Sequence, residues 1–223
     1  QAALAEENRH LRELLGIEAR APGSFIHANV IRPGTAGSES MFLLDVGSDQ
    51  GVQPGDPVLM RSGRIGLVGE IREVTAGSSI GIDWSHPDFR ASAMTENGET
   101  MAVVEPRRGD FRGGDRLLLN AVPYNERLAP GTLITTSGQG GKFPRGIPIG
   151  EVMEHHQDEG GWRSEYWLQP VVLPGSVTHV LVVRDRGFTQ ELLESMEGGG
   201  PMDTDEFMAG PETGPDTAQG SGS

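Results

Sequence analysis

Along the first fifteen residues the apolar positions repeat on a helical period. Leu4, Asn8, Leu11 and Leu15 fall at spacings of 4, 3 and 4, the alternating core positions of a heptad, in a stretch without Gly or Pro. The pattern predicts a coiled-coil helix over residues 1–16, capped by Gly16 and kept from continuing by Pro22-Gly23. Asn8 takes a core position, where burial is tolerated when it meets another Asn, so the segment favours a parallel, in-register dimer held by Leu4, Asn8, Leu11 and Leu15. Two heptads are short for a free-standing coiled coil, and the alternative is an amphipathic helix lying on its own domain. The chain begins at Gln1 in mid-pattern, from which we expect the helix to continue upstream.

Beyond residue 24 the period changes. Short apolar runs bounded by turn residues recur at intervals of roughly 8–12 residues, the rhythm of a β-sandwich or β-barrel. Strands are predicted at 25–31, 41–46, 57–60, 65–74, 79–83, 90–94, 101–104, 116–120, 133–136, 149–156, 164–169 and 179–183, with a hairpin turn at Arg61-Ser62-Gly63-Arg64 and no interior helix.

An internal echo divides this region. Pro54-Gly55 precedes a short strand and then Gly69-Glu70-Ile71; Pro130-Gly131 precedes a short strand and then Gly150-Glu151-Val152. Pro-Gly suits the central positions of a type II turn, and a glycine within a strand suits a bulge or a sharp barrel corner. The fold class expected is therefore mainly β, a coiled-coil helix followed by two small tandem β-barrels. We place the barrels in 24–110 and 111–186, with interleaving of the two allowed.

Charge separates the tail. Of the net charge of −14, eight units lie between Gly187 and Ser223, which holds no Lys or Arg, leaving −6 on the preceding 186 residues. Residues 190–223 are rich in Gly, Pro, Ser, Thr and acidic groups and are expected to form a disordered acidic tail. An acidic body without a basic stripe argues against nucleic-acid binding, which depends on neutralising phosphates. The chain has no cysteine, so disulfides and thiolate chemistry are excluded. No run approaches the ~18 apolar residues of a membrane span.

Catalytic candidates are sparse. Ser137 stands in Thr-Ser-Gly with Gly138, Gly140 and Gly141 beside it, a loop able to aim backbone N–H groups at an oxyanion, and His27 or His86 are available as bases. Neither Gly-x-Ser-x-Gly nor Gly-Asp-Ser-Gly occurs, and the plainer reading of Ser137 is a turn serine. His155 and His156 are neighbours on a predicted strand, so their side chains point apart and cannot share one metal ion. Gln139-Gly140-Gly141-Lys142 lacks the spacing of a phosphate loop. No cofactor, metal or small-molecule substrate is expected. The large apolar residues Met41, Phe42, Trp84, Phe89, Phe143, Tyr166 and Trp167 are each expected in the core ahead of an interface.

Three stretches carry a family resemblance: Glu7-Asn8-Arg9-His10-Leu11-Arg12-Glu13-Leu14-Leu15; Gly51 to Val58 followed by Gly66-Leu67-Val68-Gly69; and, most specific, Thr135 to Gly150. Together they resemble the MreC family of rod shape-determining proteins. The resemblance implies a periplasmic, non-enzymatic scaffold of the cell-elongation machinery, anchored in the inner membrane by an upstream helix. It further implies self-association and partnership with MreD, RodA and a class B penicillin-binding transpeptidase that the scaffold activates by binding. A second barrel of chymotrypsin-like form without a triad is implied as well. Thr136, Ser137, Gly138, Gly140, Phe143, Pro144, Gly146, Pro148 and Gly150 are then an architectural loop and a candidate partner contact. The alternatives are a periplasmic adaptor of membrane-fusion type, which the single short helix argues against, and a tandem-barrel serine protease.

Overall fold

The computed structural model describes residues 25–31, 40–62, 64–107, 116–123, 126–156, 163–173 and 177–184. The predicted N-terminal helix and the acidic tail lie outside them. The described chain is β structure throughout, with only two short 3-10 turns, at Ser48–Gln50 and Gln139–Gly141.

Strands β1 (Phe25–Ile31), β2 (Met41–Leu44), β3 (Pro57–Ser62), β4 (Arg64–Val74) and β5 (Ser79–Asp83) are joined by β12 (His179–Val183) in one closed barrel. The second closed barrel takes β6 (Ala91–Thr95), β7 (Met101–Arg107), β8 (Arg116–Pro123), β9 (Leu133–Thr136), β10 (Pro148–His156) and β11 (Arg163–Pro170). Every neighbouring pair is antiparallel. A division at residue 110 is thus corrected by the strand pairing: β7 and β8, on either side of it, are hydrogen-bonded from Val103↔Asn120 to Arg107↔Arg116. The chain leaves the first barrel after β5, builds the whole second barrel, and returns with β12, which pairs with β1 from Phe25↔Val183 to Asn29↔His179.

The echo read from the sequence extends to the backbone. In both Pro-Gly turns the glycine takes positive φ, 88° at Gly55 and 84° at Gly131. The i+3 to i hydrogen bond forms in each, Asp56 N–H to Gln53 O at 3.2 Å and Thr132 N–H to Ala129 O at 3.1 Å. This is the type II pattern, in which glycine relieves the steric cost at i+2. Each turn glycine then donates to the apolar residue after Gly-Glu, Gly55 to Ile71 O (2.8 Å) and Gly131 to Val152 O (2.7 Å). Register shifts repeat too, between Ile71 and Glu73 on β4 and between Val152 and Glu154 on β10. Aligning β3, β4 and β5 with β9, β10 and β11 matches every remaining neighbour in turn, with β12 corresponding to β6. The barrels share one circular strand order, but the strand that opens the second barrel has its counterpart at the end of the chain.

The in-strand glycines permit this closure. A Cβ built on Gly69 would stand 1.8 Å from Ile82 O, and one on Gly150 would stand 2.8 Å from Gln169 O. Both distances are below van der Waals contact, so each glycine lets the next strand approach where the sheet bends. Burial follows from the geometry. Ile65 to Ile71 on β4 and Val180 to Val183 on β12 are buried without alternation, as strands covered on both faces must be. One hydrophobic cluster runs through both barrels, with Leu59, Leu67, Ile82 and Leu181 of the first and Val104, Leu117, Ile134 and Tyr166 of the second. Trp84, in the crossing between them, donates its Nε1–H to Val172 O at 2.8 Å and is buried.

Glycine substitutions should follow those distances. In denaturant unfolding we expect Gly69→Ala to cost about 3 kcal/mol or more and Gly150→Ala about 1–2 kcal/mol, because a clash with backbone cannot be relieved by turning a side chain. Equal, small effects at both positions would contradict the bend.

The glycine-rich loop and a candidate partner-binding surface

The segment from Thr136 to Gly150 is organised by one side chain. Thr136 is fully buried. Its hydroxyl donates to Pro144 O and accepts the Ile147 N–H at 2.9 Å. Its backbone N–H donates to Ile147 O (2.9 Å) and its carbonyl accepts from Gly146 N–H (2.8 Å). A single threonine thus ties both ends of the loop together. Between them the chain turns through Gly138, Gly140 and Gly141, all at positive φ, and Gly146 adds a fourth such residue before Pro148 opens β10. Four left-handed residues in nine would strain any other side chain.

The loop faces inward. Phe143, Pro144, Gly146, Pro148 and Gly150 are buried, whereas Gly140 is exposed. The Phe143 ring lies 6.1 Å from that of Phe89 in the crossing between the barrels. Next to it, Lys142 places Nζ 2.8 Å from Glu70 Oε2 on β4 of the first barrel. Glu70 is 3% exposed and its Oε1 also lies 3.6 Å from Arg72 Nε. A buried carboxylate of this kind depends on its cations, here Lys142 from the second barrel and Arg72 from its own strand.

Ser137 is buried, and its Oγ accepts the Gln139 N–H at 3.2 Å, as a turn serine does. Of the two histidines weighed as bases, His86 accepts the Asp88 N–H on its Nδ1 at 3.1 Å, and His27 lies on β1 of the other barrel. The adjacent His155 and His156 diverge: the first rests against the Tyr166 ring at 5.1 Å, the second against Trp167 at 4.8 Å. Among the described residues no group of three or more His, Cys, Asp and Glu is arranged to hold a metal ion.

Of the large apolar residues singled out in the sequence, Phe42, Trp84, Phe89, Phe143 and Tyr166 are buried, while Met41 and Trp167 are half-buried. Trp167 lines a groove of about 290 Å³ together with Met153, Leu173, Pro170, Arg116 and Glu154. Met153 (51% exposed) and Leu173 (57%) stand open to solvent, and the Arg116 guanidinium lies 5.2 Å over the Trp167 ring. Sequence reasoning passed over Met153 and Leu173. Alternation outward from buried Val152 pointed to Met153; Leu173 lies beyond the last residue of β11, where no period applies.

Two closed barrels, a loop turned to their junction and an apolar groove open on the second define a tandem β-barrel protein. The comparisons with known proteins make the class specific. Residues 30–184 match the family described as rod shape-determining protein MreC, barrel core. The chain is 29% identical to the cell shape-determining protein MreC of Caulobacter vibrioides over 84% of its length and 50% of the relative's. Against its counterpart from Listeria monocytogenes it is 29% identical over 82% of its length and 61% of the relative's. It therefore spans about half to three fifths of these relatives. A solved MreC structure superposes with a TM-score of 0.68 at 26% identity, covering 81% of this chain and 99% of that one. A solved complex of penicillin-binding protein PBP2 with MreC from Helicobacter pylori shares the fold at a TM-score of 0.53 and 15% identity, over 72% of this chain and 99% of that one. The chain belongs to the MreC family of cell shape-determining proteins.

The loop's two hydroxyls should behave differently. Thr136→Val strands the buried Ile147 N–H and Pro144 carbonyl and should cost about 1–3 kcal/mol, whereas Ser137→Ala should stay within about 1 kcal/mol of the parent. Chemical denaturation of both variants measures the contrast, and a larger loss at Ser137 would reverse the assignment.

Proposed function

We propose that this chain is the periplasmic part of a non-enzymatic scaffold of the cell-elongation machinery. Its barrels bind a class B penicillin-binding transpeptidase and favour that enzyme's active conformation. Binding can do this only if it is tighter to the active state than to the resting one. The observation that carries the reading is the barrel core shared with MreC proteins, one of which is described in complex with a penicillin-binding protein. The outward groove at Met153, Trp167 and Leu173 supports it, because exposed apolar side chains gathered in one place are costly unless a partner covers them. On this reading Ser137 is architectural and the loop does no chemistry.

The proposal extends to assembly and place. An upstream helix anchors the chain in the inner membrane, where MreD and RodA are its partners. Leu4, Asn8, Leu11 and Leu15 pair two copies in parallel. Sedimentation should then show a dimer that Leu11→Asp converts to monomer without altering the barrels' near-ultraviolet spectrum. A dimer that survives the substitution would place self-association elsewhere.

Interferometry against the periplasmic region of the cognate transpeptidase tests the central claim. Saturable binding is expected, weakened at least about tenfold by Met153→Glu with Leu173→Glu, equivalent to about 1.4 kcal/mol, and unchanged by Ser137→Ala. No binding at about tens of micromolar by folded protein would refute it.

A further inference from the structure

We propose that the glycine-rich loop is an inter-barrel latch: Lys142 on buried Glu70, mirrored by Arg64 on Glu151, sets and holds the angle between the two barrels. The case begins with the repeat. Gly69-Glu70 on β4 and Gly150-Glu151 on β10 are equivalent steps on equivalent strands, and these two strands pack against each other at the junction. Each glutamate meets a cation from the opposite barrel. Lys142, from the connection between β9 and β10, reaches Glu70 Oε2 at 2.8 Å. Arg64, the first residue of β4, reaches Glu151 Oε1 at 3.3 Å. Unit one therefore grips unit two as unit two grips unit one, the reciprocal form of a two-fold interface, here within a single chain.

The two pairs differ in weight. Arg64 and Glu151 are 45% and 48% exposed, so solvent screens them. Glu70 is 3% exposed, and Lys142 is its only cation from the second barrel among the described residues. Lys142 is itself held in place: its Nζ lies 5.4 Å from the Phe143 ring and donates to Arg90 O at 3.5 Å. Phe143 in turn is buried against Phe89. The loop thereby clamps the first crossing between the barrels. The second crossing is pinned separately, by Val171 and Val172 against Gly66, where an added Cβ would stand 2.7 Å from Val171 Cγ1. This explains why a loop so rich in positive-φ glycine lies at the junction: it must deliver one ammonium to one buried carboxylate on another barrel.

The latch does not depend on which partner the barrels bind, and its test uses the chain alone. The sequence has no cysteine, so Ala76→Cys on the first barrel and Ala129→Cys on the second, both at exposed turn positions, take spin labels specifically. Pulsed dipolar spectroscopy should give one narrow distance distribution for the parent. Lys142→Met should broaden it at least about twofold, because Arg72 keeps Glu70 paired within its own barrel while the bond between barrels is lost. Lys142→Arg should restore the narrow distribution. Should Lys142→Met fail to fold, Arg64→Met provides the milder variant, with a smaller broadening. An unchanged distribution in Lys142→Met, or in Arg64→Met where that variant must stand in, overturns the proposal. So does an equal broadening from Ser137→Ala, which would trace the effect to the loop's fold instead of the ion pair.

Discussion

A sheet of only six strands closes on itself where a strand bends hard enough to bring its neighbour's backbone almost onto its own. The chain makes that bend twice, at Gly69 beneath the Ile82 carbonyl and at Gly150 beneath the Gln169 carbonyl. Much else is arranged around these contacts. The Pro-Gly turns hand their hydrogen bonds to Ile71 and Val152, two residues past each bend. The register shifts follow just after, and the glutamate beside each glycine is carried to the face where the barrels meet. Backbone proximity, set by the absence of a side chain, thus fixes both closure and the position of the junction charges.

Much of this was legible in the residues. Each of the twelve predicted strands has its counterpart in the fold, because apolar runs bounded by Gly, Pro and Asp mark where an extended segment begins and stops. Ends were less legible. β7 runs on through Pro106 because residues past Val104 pair with β8 alone, so the missing N–H is tolerated at an edge position. β8 runs past Asn120 through a bulge in which Ala121 takes a φ of 67° and donates its N–H to the Asn120 side chain, a device with no periodic signature. The allegiance of β6, β7 and β12 was hidden for a different reason. Alternation states that a strand has a buried face, yet it does not say which sheet supplies the neighbours. The loop was legible as architecture, through its glycines and prolines; that Lys142 reaches another barrel is a long-range fact that spacing cannot encode.

Closure also shapes how such a molecule can be recognised. An open sheet offers its unpaired N–H and carbonyl groups to any extended peptide, and closed barrels withdraw that offer. What the described surface presents instead is side chains, most visibly Met153, Leu173 and the edge of Trp167 with Arg116 stacked upon it. Contact through side chains is the more selective mode, since it depends on shape and apolar match instead of a backbone pattern common to all proteins.

The pairing of β1 with β12 has a geometrical outcome for the molecule in its setting. Phe25 lies directly across from Val183, so the chain arrives at and departs from one pole of the first barrel, on neighbouring strands about 5 Å apart. Everything attached before the first strand or after the last is therefore moored at that pole. The second barrel contains neither of these two strands and is joined to the first through the crossings after β5 and before β12. These two crossings form a double connection between the barrels, which resists twisting better than one.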